Sequence, residues 1–229
     1  MIPSQKHLFD IPDEITYLNC AYISPQLQSV KEAGIRGVSG KSSPWKLMPQ
    51  DFFTESEHCR SLFAKTIGAD KECVSFIPSA SYGIAVAAEN LNLKSGDEVV
   101  VLSEQFPSNY YMWKHKADIV GASIRTVPKT NGDVTAAVLD TITEKTAIAA
   151  IPNCHWADGT LVDIQAVSKR CSDVGAALVL DLSQSAGVMP VDFNSVNPDF
   201  VIAVGYKWLL GPYSFGYMIV NKKHLDGQP

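Results

Sequence analysis

Val99-Val100-Val101-Leu102, Ala147-Ile148-Ala149-Ala150-Ile151, Ala177-Leu178-Val179-Leu180 and Phe200-Val201-Ile202-Ala203-Val204 are apolar at every position. A strand with one wet face alternates apolar and polar side chains. A strand-length run without alternation is buried on both faces, which is the condition of a parallel sheet covered by helices on each side. The first of these runs extends to 98–102, and further strand-like runs at 74–77, 123–127 and 215–220 bring the expected sheet to seven strands. Helical stretches lie between them at 82–91, 109–120, 134–142 and 164–174. Asn131-Gly132-Asp133 leads into the third with a capping carboxylate, and Asp163 and Gly175 bracket the fourth. This alternation predicts an α/β fold, a mostly parallel doubly wound sheet with helices on both faces. The loop between 204 and 215 is too short for a helical crossover, so the last strand is expected to run antiparallel. Two more helices are expected ahead of the sheet, at 26–38, after Ser24-Pro25, and at 51–67. The division expected is 1–67 as an arm with helices and 68–229 as the large domain.

The 229 residues suffice for a full hydrophobic core, and 46% hydrophobic with 19% charged content describes a globular chain. A formal charge of −5 and the lack of a basic, aromatic-interleaved run argue against a nucleic-acid partner. No run is long enough to span a bilayer, and Met1-Ile2-Pro3-Ser4-Gln5-Lys6 has no apolar signal core, so no membrane association and a cytoplasmic location are expected. The five cysteines are scattered without a C-x-x-C and read as reduced structural thiols. The five histidines have no ligand spacing, so no metal site is expected.

Ligands of open α/β sheets bind beyond the carboxyl ends of the strands. Four such ends carry suggestive residues. Pro78-Ser79-Ala80-Ser81 joins a strand to a helix start, where free amides and the helix dipole favour a phosphate monoester; the plainer reading is a serine cap. Neither a Walker-type nor a dinucleotide glycine motif is present. Phe106, in Gln105-Phe106-Pro107-Ser108-Asn109, is placed to stack on a flat heterocycle or simply to fill the core. Asp181 closes an apolar strand, where a carboxylate needs a cation such as a protonated ring nitrogen, unless it caps the next segment. Gln184 follows within reach of a phenolate oxygen. Lys207, in Gly205-Tyr206-Lys207-Trp208, lies at the end of another buried strand, where desolvation favours a neutral, nucleophilic amine if the side chain does not escape to solvent. Tyr206 offers a hydroxyl to a phosphate oxygen. A phosphate cradle, a stacking ring, a carboxylate and a Schiff-base lysine together describe pyridoxal 5'-phosphate.

Asp181-Leu182-Ser183-Gln184-Ser185-Ala186-Gly187 and Gly205-Tyr206-Lys207-Trp208-Leu209-Leu210-Gly211-Pro212 resemble the signature of class V aminotransferase-like enzymes of fold type I. That group comprises cysteine desulfurases, selenocysteine lyases, kynureninases and isopenicillin-N-epimerase-like proteins. Tyr17-Leu18-Asn19 and His155-Trp156-Ala157-Asp158-Gly159 share in the resemblance, which covers about 17–220. It implies that Lys207 forms the internal aldimine, Asp181 pairs with the pyridine nitrogen and Gln184 touches the ring hydroxyl. Ala80 and Ser81 would contact the phosphate, with Ser79 beside them. Phe106 would stack on the ring and Tyr206 would reach the phosphate. The implied reaction acts on a small-molecule amino acid within a homodimer. Desulfurases usually carry histidine at the positions of Phe106 and Tyr206, a small hydroxyl residue near Val204 and asparagine near Trp156. The differences favour the kynureninase- or epimerase-like branch. Family members are longer, and the C-terminal small domain with its carboxylate-binding arginine is expected to be missing here. That leaves two further readings, a catalytically incomplete scaffold derived from the family and a thiol hydrolase built on Cys154 and His155.

Overall fold

A computed structural model describes residues 3–228. The strands are β1 (Val74–Ile77), β2 (Glu98–Leu102), β3 (Ser123–Val127), β4 (Thr146–Pro152), β5 (Ala177–Asp181), β6 (Phe200–Val204) and β7 (Gly216–Val220). The helices are α1 (Gln28–Gly40), α2 (Thr54–Thr66), α3 (Ala80–Asn90), α4 (Tyr111–Val120), α5 (Val134–Thr141), α6 (Ile164–Val174) and the short α7 (Phe193–Val196). The strands form one sheet in the order β1-β7-β6-β5-β4-β2-β3. Strands β3, β2, β4, β5 and β6 pair in parallel, and β7 runs antiparallel between β6 and β1. The seven-stranded α/β sheet with one reversed strand is the architecture expected from the apolar runs. No described helix is long and apolar enough to cross a membrane.

Burial explains why those runs do not alternate. Successive residues of β6 enter different cores: Val201 and Ala203 pack with Phe63, Val167 and Phe193, whereas Phe200, Ile202 and Val204 pack with Ile84 and Trp113. Both faces of the strand are therefore dry, and each position must be apolar. Asp133 accepts the Ala136 amide at the start of α5. Asp163 accepts the amides of Gln165 and Ala166, and Gly175 ends α6 in the left-handed region at φ 77°.

The structure shifts several expected boundaries, each for a visible reason. Helix α1 starts at Gln28 because the expected start residue, Ser24, is engaged elsewhere: its amide and hydroxyl both donate to the Tyr206 carbonyl, at 3.0 and 3.1 Å. The stretch at 51–67 breaks into a 3₁₀ turn, Pro49–Phe52, followed by α2. Helix α3 begins two residues early at Ala80, with the Ser79 hydroxyl accepting the Tyr82 amide at 3.2 Å. Helix α4 begins later, at Tyr111, because Asn109 belongs to a 3₁₀ turn and turns its side chain inward, donating to the Ala150 carbonyl at 3.3 Å.

Just before β6, at the amino end of the sheet, Asp199 is 5% exposed. It accepts the Leu178 amide at 2.9 Å, and Lys223 and His224 lie 2.7 Å from its other oxygen. Burial pushes its pKa up, but these three donors outweigh burial and hold it below the usual carboxylate value. The His224 ring also stacks on Phe200, with centroids 5.2 Å apart. This clasp fastens the segment after β7 to the bottom of the sheet.

Candidate active site

At the opposite end, beyond the carboxyl termini of the strands, a cavity of about 230 Å³ opens. Ser79, Ala80, Ser81, Phe106, Asp181, Gln184, Tyr206 and Lys207 all line it. The eight residues singled out in the sequence thus come from four separate segments and meet at one place.

Lys207 leaves the end of β6 on a turn in which Gly205 is packed against the backbone of Phe215. A Cβ on Gly205 would lie 2.8 Å from the Phe215 carbonyl oxygen, so only glycine allows this approach. Gly187 does the same on the neighbouring loop: its φ is 94°, and a Cβ there would stand 2.8 Å from the Trp208 carbonyl oxygen. The result is a lysine side chain 8% exposed, its Nζ 5.7 Å from the centre of the Phe106 ring. Burial lowers its pKa, against the opposing pull of the Asp181 carboxylate.

Asp181 is 7% exposed. One of its oxygens accepts the Ser183 amide at 3.0 Å, making a tight turn at the strand end. Burial raises its pKa, and the Ser183 hydroxyl and amide and the Lys207 charge only partly offset this. Gln184 is held at both ends, donating from Nε2 to the Ala21 carbonyl at 3.0 Å and accepting at Oε1 from the Trp208 indole at 3.1 Å. Its second Nε2 hydrogen stays available to the cavity. Tyr206 is half-buried with its ring 4.5 Å from that of Tyr213, and burial first, then Tyr213 and Asp181, raise its pKa.

Phe106 is fixed by its surroundings. Its amide donates to Gln105 Oε1 at 3.0 Å, and Trp156 meets its ring edge-on, with centroids 5.3 Å apart and planes at 81°. Trp156 is in turn tied by its indole N–H to the Glu104 carbonyl at 2.8 Å. Asn109 anchors the other side of the loop, its own carbonyl oxygen held by the Trp113 indole at 3.0 Å.

Ser79 acts as the helix cap, the plainer of its two readings. That cap uses the amides of Tyr82 and Gly83. Among the described residues, the first-turn amides of Ala80 and Ser81 are left without an internal partner, as helix geometry requires. Sequence reasoning assigned no role to Ser108, whose oxygen accepts the Ser81 hydroxyl at 2.9 Å beside those amides, nor to Ser183 and Tyr213. Ser108 was legible as a small polar neighbour of Phe106, but its distance from Ser81 is set by the crossing of α3 and the loop after β2.

The thiol-hydrolase constellation is absent. Both nitrogens of His155 are engaged away from Cys154, Nδ1 with Asp158 and Nε2 with the Ser103 carbonyl, each at 3.2 Å. Burial raises the Cys154 pKa, the reverse of an activated thiol.

This fold is shared with solved structures, among them the apo cysteine desulfurase of Thermococcus onnurineus NA1 and the cystine C-S lyase C-DES. The enzyme of Thermococcus onnurineus NA1 superimposes with a TM-score of 0.86 at 22% identity, over 96% of this chain and 57% of that one. A mutant of C-DES carrying glycine covalently linked to its PLP cofactor gives 0.87 at 19% identity, over 98% of this chain and 61% of that one. The profile of the family Aminotransferase class-V matches residues 37–228, and the chain belongs to that family. The uncharacterized aminotransferase YcbU of Bacillus subtilis (strain 168) is 28% identical over 81% of this chain and 49% of its own length. A probable cysteine desulfurase of Methanothermobacter thermautotrophicus is 29% identical over 71% and 41%, and a kynureninase of Deinococcus radiodurans 27% identical over 77% and 42%. The chain spans less than half the length of these curated relatives.

Proposed function

We propose that the chain is the cofactor-binding part of a pyridoxal 5'-phosphate enzyme acting on an amino acid. The observation that carries this reading is the burial of one lysine and one aspartate in the same cavity, the lysine with a lowered and the aspartate with a raised pKa. A structural ion pair would hold both groups in their charged forms. Here each is left in an environment that disfavours its charge, which suits a lysine that must act as a nucleophile and an aspartate that awaits a cation.

The residues present fit the cofactor. The amides of Ala80 and Ser81, with the hydroxyls of Ser81 and Ser108 and the phenol of Tyr206, suit its phosphate. Phe106 offers a ring face, Asp181 a carboxylate for the ring nitrogen and Gln184 an N–H for the ring oxygen. Lys207 would hold the aldehyde carbon. When bound, the cofactor supplies an electron sink for charge developing at the substrate's α-carbon. Asp181 would keep the ring nitrogen protonated. Lys207 Nζ would accept a proton from the substrate's α-carbon and return it. Phe106, braced by Trp156, fixes the plane in which this occurs, and the Asn109 anchor keeps Phe106 from drifting.

Incubation of the full chain with pyridoxal 5'-phosphate, borohydride reduction and peptide mapping tests the reading. The expected result is a reduced pyridoxyl adduct on Lys207; an unmodified Lys207 refutes it.

The cavity lining favours keeping a second reading. Lys207 is the one cation among the described lining residues, and no arginine stands there to grip a substrate carboxylate. On this reading the chain binds cofactor but needs groups from another polypeptide segment to turn substrate over. Turnover of any amino acid by the isolated chain would eliminate it. We also read the chain as one subunit of a homodimer, supported by the exposed Tyr22, Trp45, Phe52 and Phe53 ahead of the sheet. A monomer in sedimentation at micromolar concentration would remove that reading.

A further inference from the structure

Ser183 lines the cavity one residue from Gln184, and its Oγ is buried. Among the described residues, only this atom and Glu98 Oε2 are buried side-chain polar atoms without a hydrogen-bond partner. A hydroxyl left so is costly, and an orphan of this kind asks for a function. The backbone of the same residue is already committed, its amide donating to Asp181 at 3.0 Å. The turn therefore holds the hydroxyl next to the carboxylate that it has not yet bonded. Among the described residues, no side chain meets hydrogen-bond geometry at Asp181, and Lys207 acts on it through charge alone. The remaining ionisable groups on the cavity wall are Cys154, from the loop after β4, and Tyr206 and Tyr213, from the loop between β6 and β7, none of them cationic.

We propose that Ser183 is a positioning residue for Asp181. A small rotation about its Cα–Cβ bond brings the hydroxyl onto a carboxylate oxygen, so that amide and hydroxyl of one residue grip Asp181 and hold it ionised and aimed at the ring nitrogen of the bound cofactor. The hydroxyl already eases ionisation of Asp181 from its present position, although its oxygen does not meet hydrogen-bond geometry. Burial raises the carboxylate's pKa, so any lost donor moves it further from the ionised state that a ring cation requires. The proposal rests on the cofactor reading for its purpose, but its physical core concerns two residues of the chain itself.

The test compares the full chain with Ser183→Ala and Ser183→Thr. In the cofactor-free proteins, carbon-13 NMR of labelled aspartate follows the titration of Asp181, assigned through Asp181→Asn. Alanine is expected to raise the midpoint by about one pH unit, the scale of one hydrogen bond to a charged group, and threonine to restore it. With pyridoxal 5'-phosphate added, alanine is expected to weaken binding about tenfold and to shift the pH midpoint of the cofactor's visible absorbance band, again with rescue by threonine. An unmoved Asp181 midpoint in the alanine variant overturns the proposal, as does a threonine variant that behaves like alanine. Weakened binding with an unmoved midpoint also overturns it, by showing that the hydroxyl touches the cofactor directly. Failure of every form of the chain, wild type included, to bind the cofactor refutes the cofactor reading instead and leaves the NMR comparison standing.

Discussion

Two aspartates of this chain are almost equally buried, Asp181 at 7% and Asp199 at 5% exposure, and their surroundings shift their pKa values in opposite directions. Both sit beside the same pair of parallel strands, one at the carboxyl end of β5 and the other at the amino end of β6. Asp199 is surrounded by donors: a backbone amide, a lysine and a histidine close around it and hold it charged. Asp181 has the amide of Ser183, an unbonded hydroxyl and a distant lysine, and burial prevails. Burial alone therefore does not mark a functional carboxylate. The mark is burial with donors withheld, because a group whose needs the fold already meets has nothing to offer a ligand.

The contrast is broken most directly by exchanging each carboxylate for an amide. Asp181→Asn is expected to lower affinity for pyridoxal 5'-phosphate about 100-fold, the worth of a strong charge-assisted contact, while Asp199→Asn leaves it within about twofold. Equilibrium dialysis or fluorescence quenching reads both. Equal losses would mean that the two sites are not separate in function.

Stability should divide the other way. Asp199→Ala is expected to lower the free energy of urea unfolding by about 3 kcal/mol, because the Leu178 amide and His224 lose a charged acceptor. Asp181→Asn is expected to be neutral or to stabilise by up to about 1 kcal/mol, since it removes a charge that burial penalises. The pH dependence of unfolding sharpens the point. Asp199 has a depressed folded pKa, so its contribution is present above the unfolded aspartate value and fades as pH falls through the folded one. Asp181 has a raised folded pKa, so its cost is absent at low pH and appears as pH rises from the unfolded value through the folded one. Asp199→Asn should flatten the acid limb of the stability curve, and Asp181→Asn should steepen the net gain with rising pH.

The smallest effects lie within the clasp. His224→Ala is expected to cost about 1 kcal/mol, through the lost hydrogen bond and the lost stacking on Phe200. Lys223→Ala should cost no more than about 0.5 kcal/mol, because its side chain is 56% exposed and water screens the pair. A larger effect for lysine than for histidine would reverse the ranking of donors around Asp199.

The sheet was legible because its strands obey one constraint, dryness on both faces, written as runs such as Phe200–Val204. The cavity was legible because its residues sit at the ends of those runs, where chain position and spatial position coincide. What stayed hidden depended on contacts between distant segments. The Asp199 clasp joins residues on either side of β6 and β7, and no pattern near Asn197-Pro198-Asp199 announces it. The Ser24 start signal was misread because its hydroxyl is claimed by Tyr206, 182 residues away. Helix α7 is a single turn, too short to show a period. Ser183 was visible as a letter in a motif, but that its hydroxyl is orphaned is a fact of geometry.

Strand β1 ends at Ile77, and its sheet neighbour among the described residues, β7, begins at Gly216, 139 positions later (216 − 77). The Ser79–Ser81 turn follows β1 directly, so the half of the cavity made first during synthesis is the half fixed last. Long-range pairing of this kind is slow to form, since the loop must close before any contact stabilises it. On the cofactor reading, a cradle that depends on β7 would bind its anion only after the sheet is closed. On the same reading, free cofactor would then stabilise finished chains and ignore unfinished ones, so its concentration would act on the yield of folded protein as well as on chemistry.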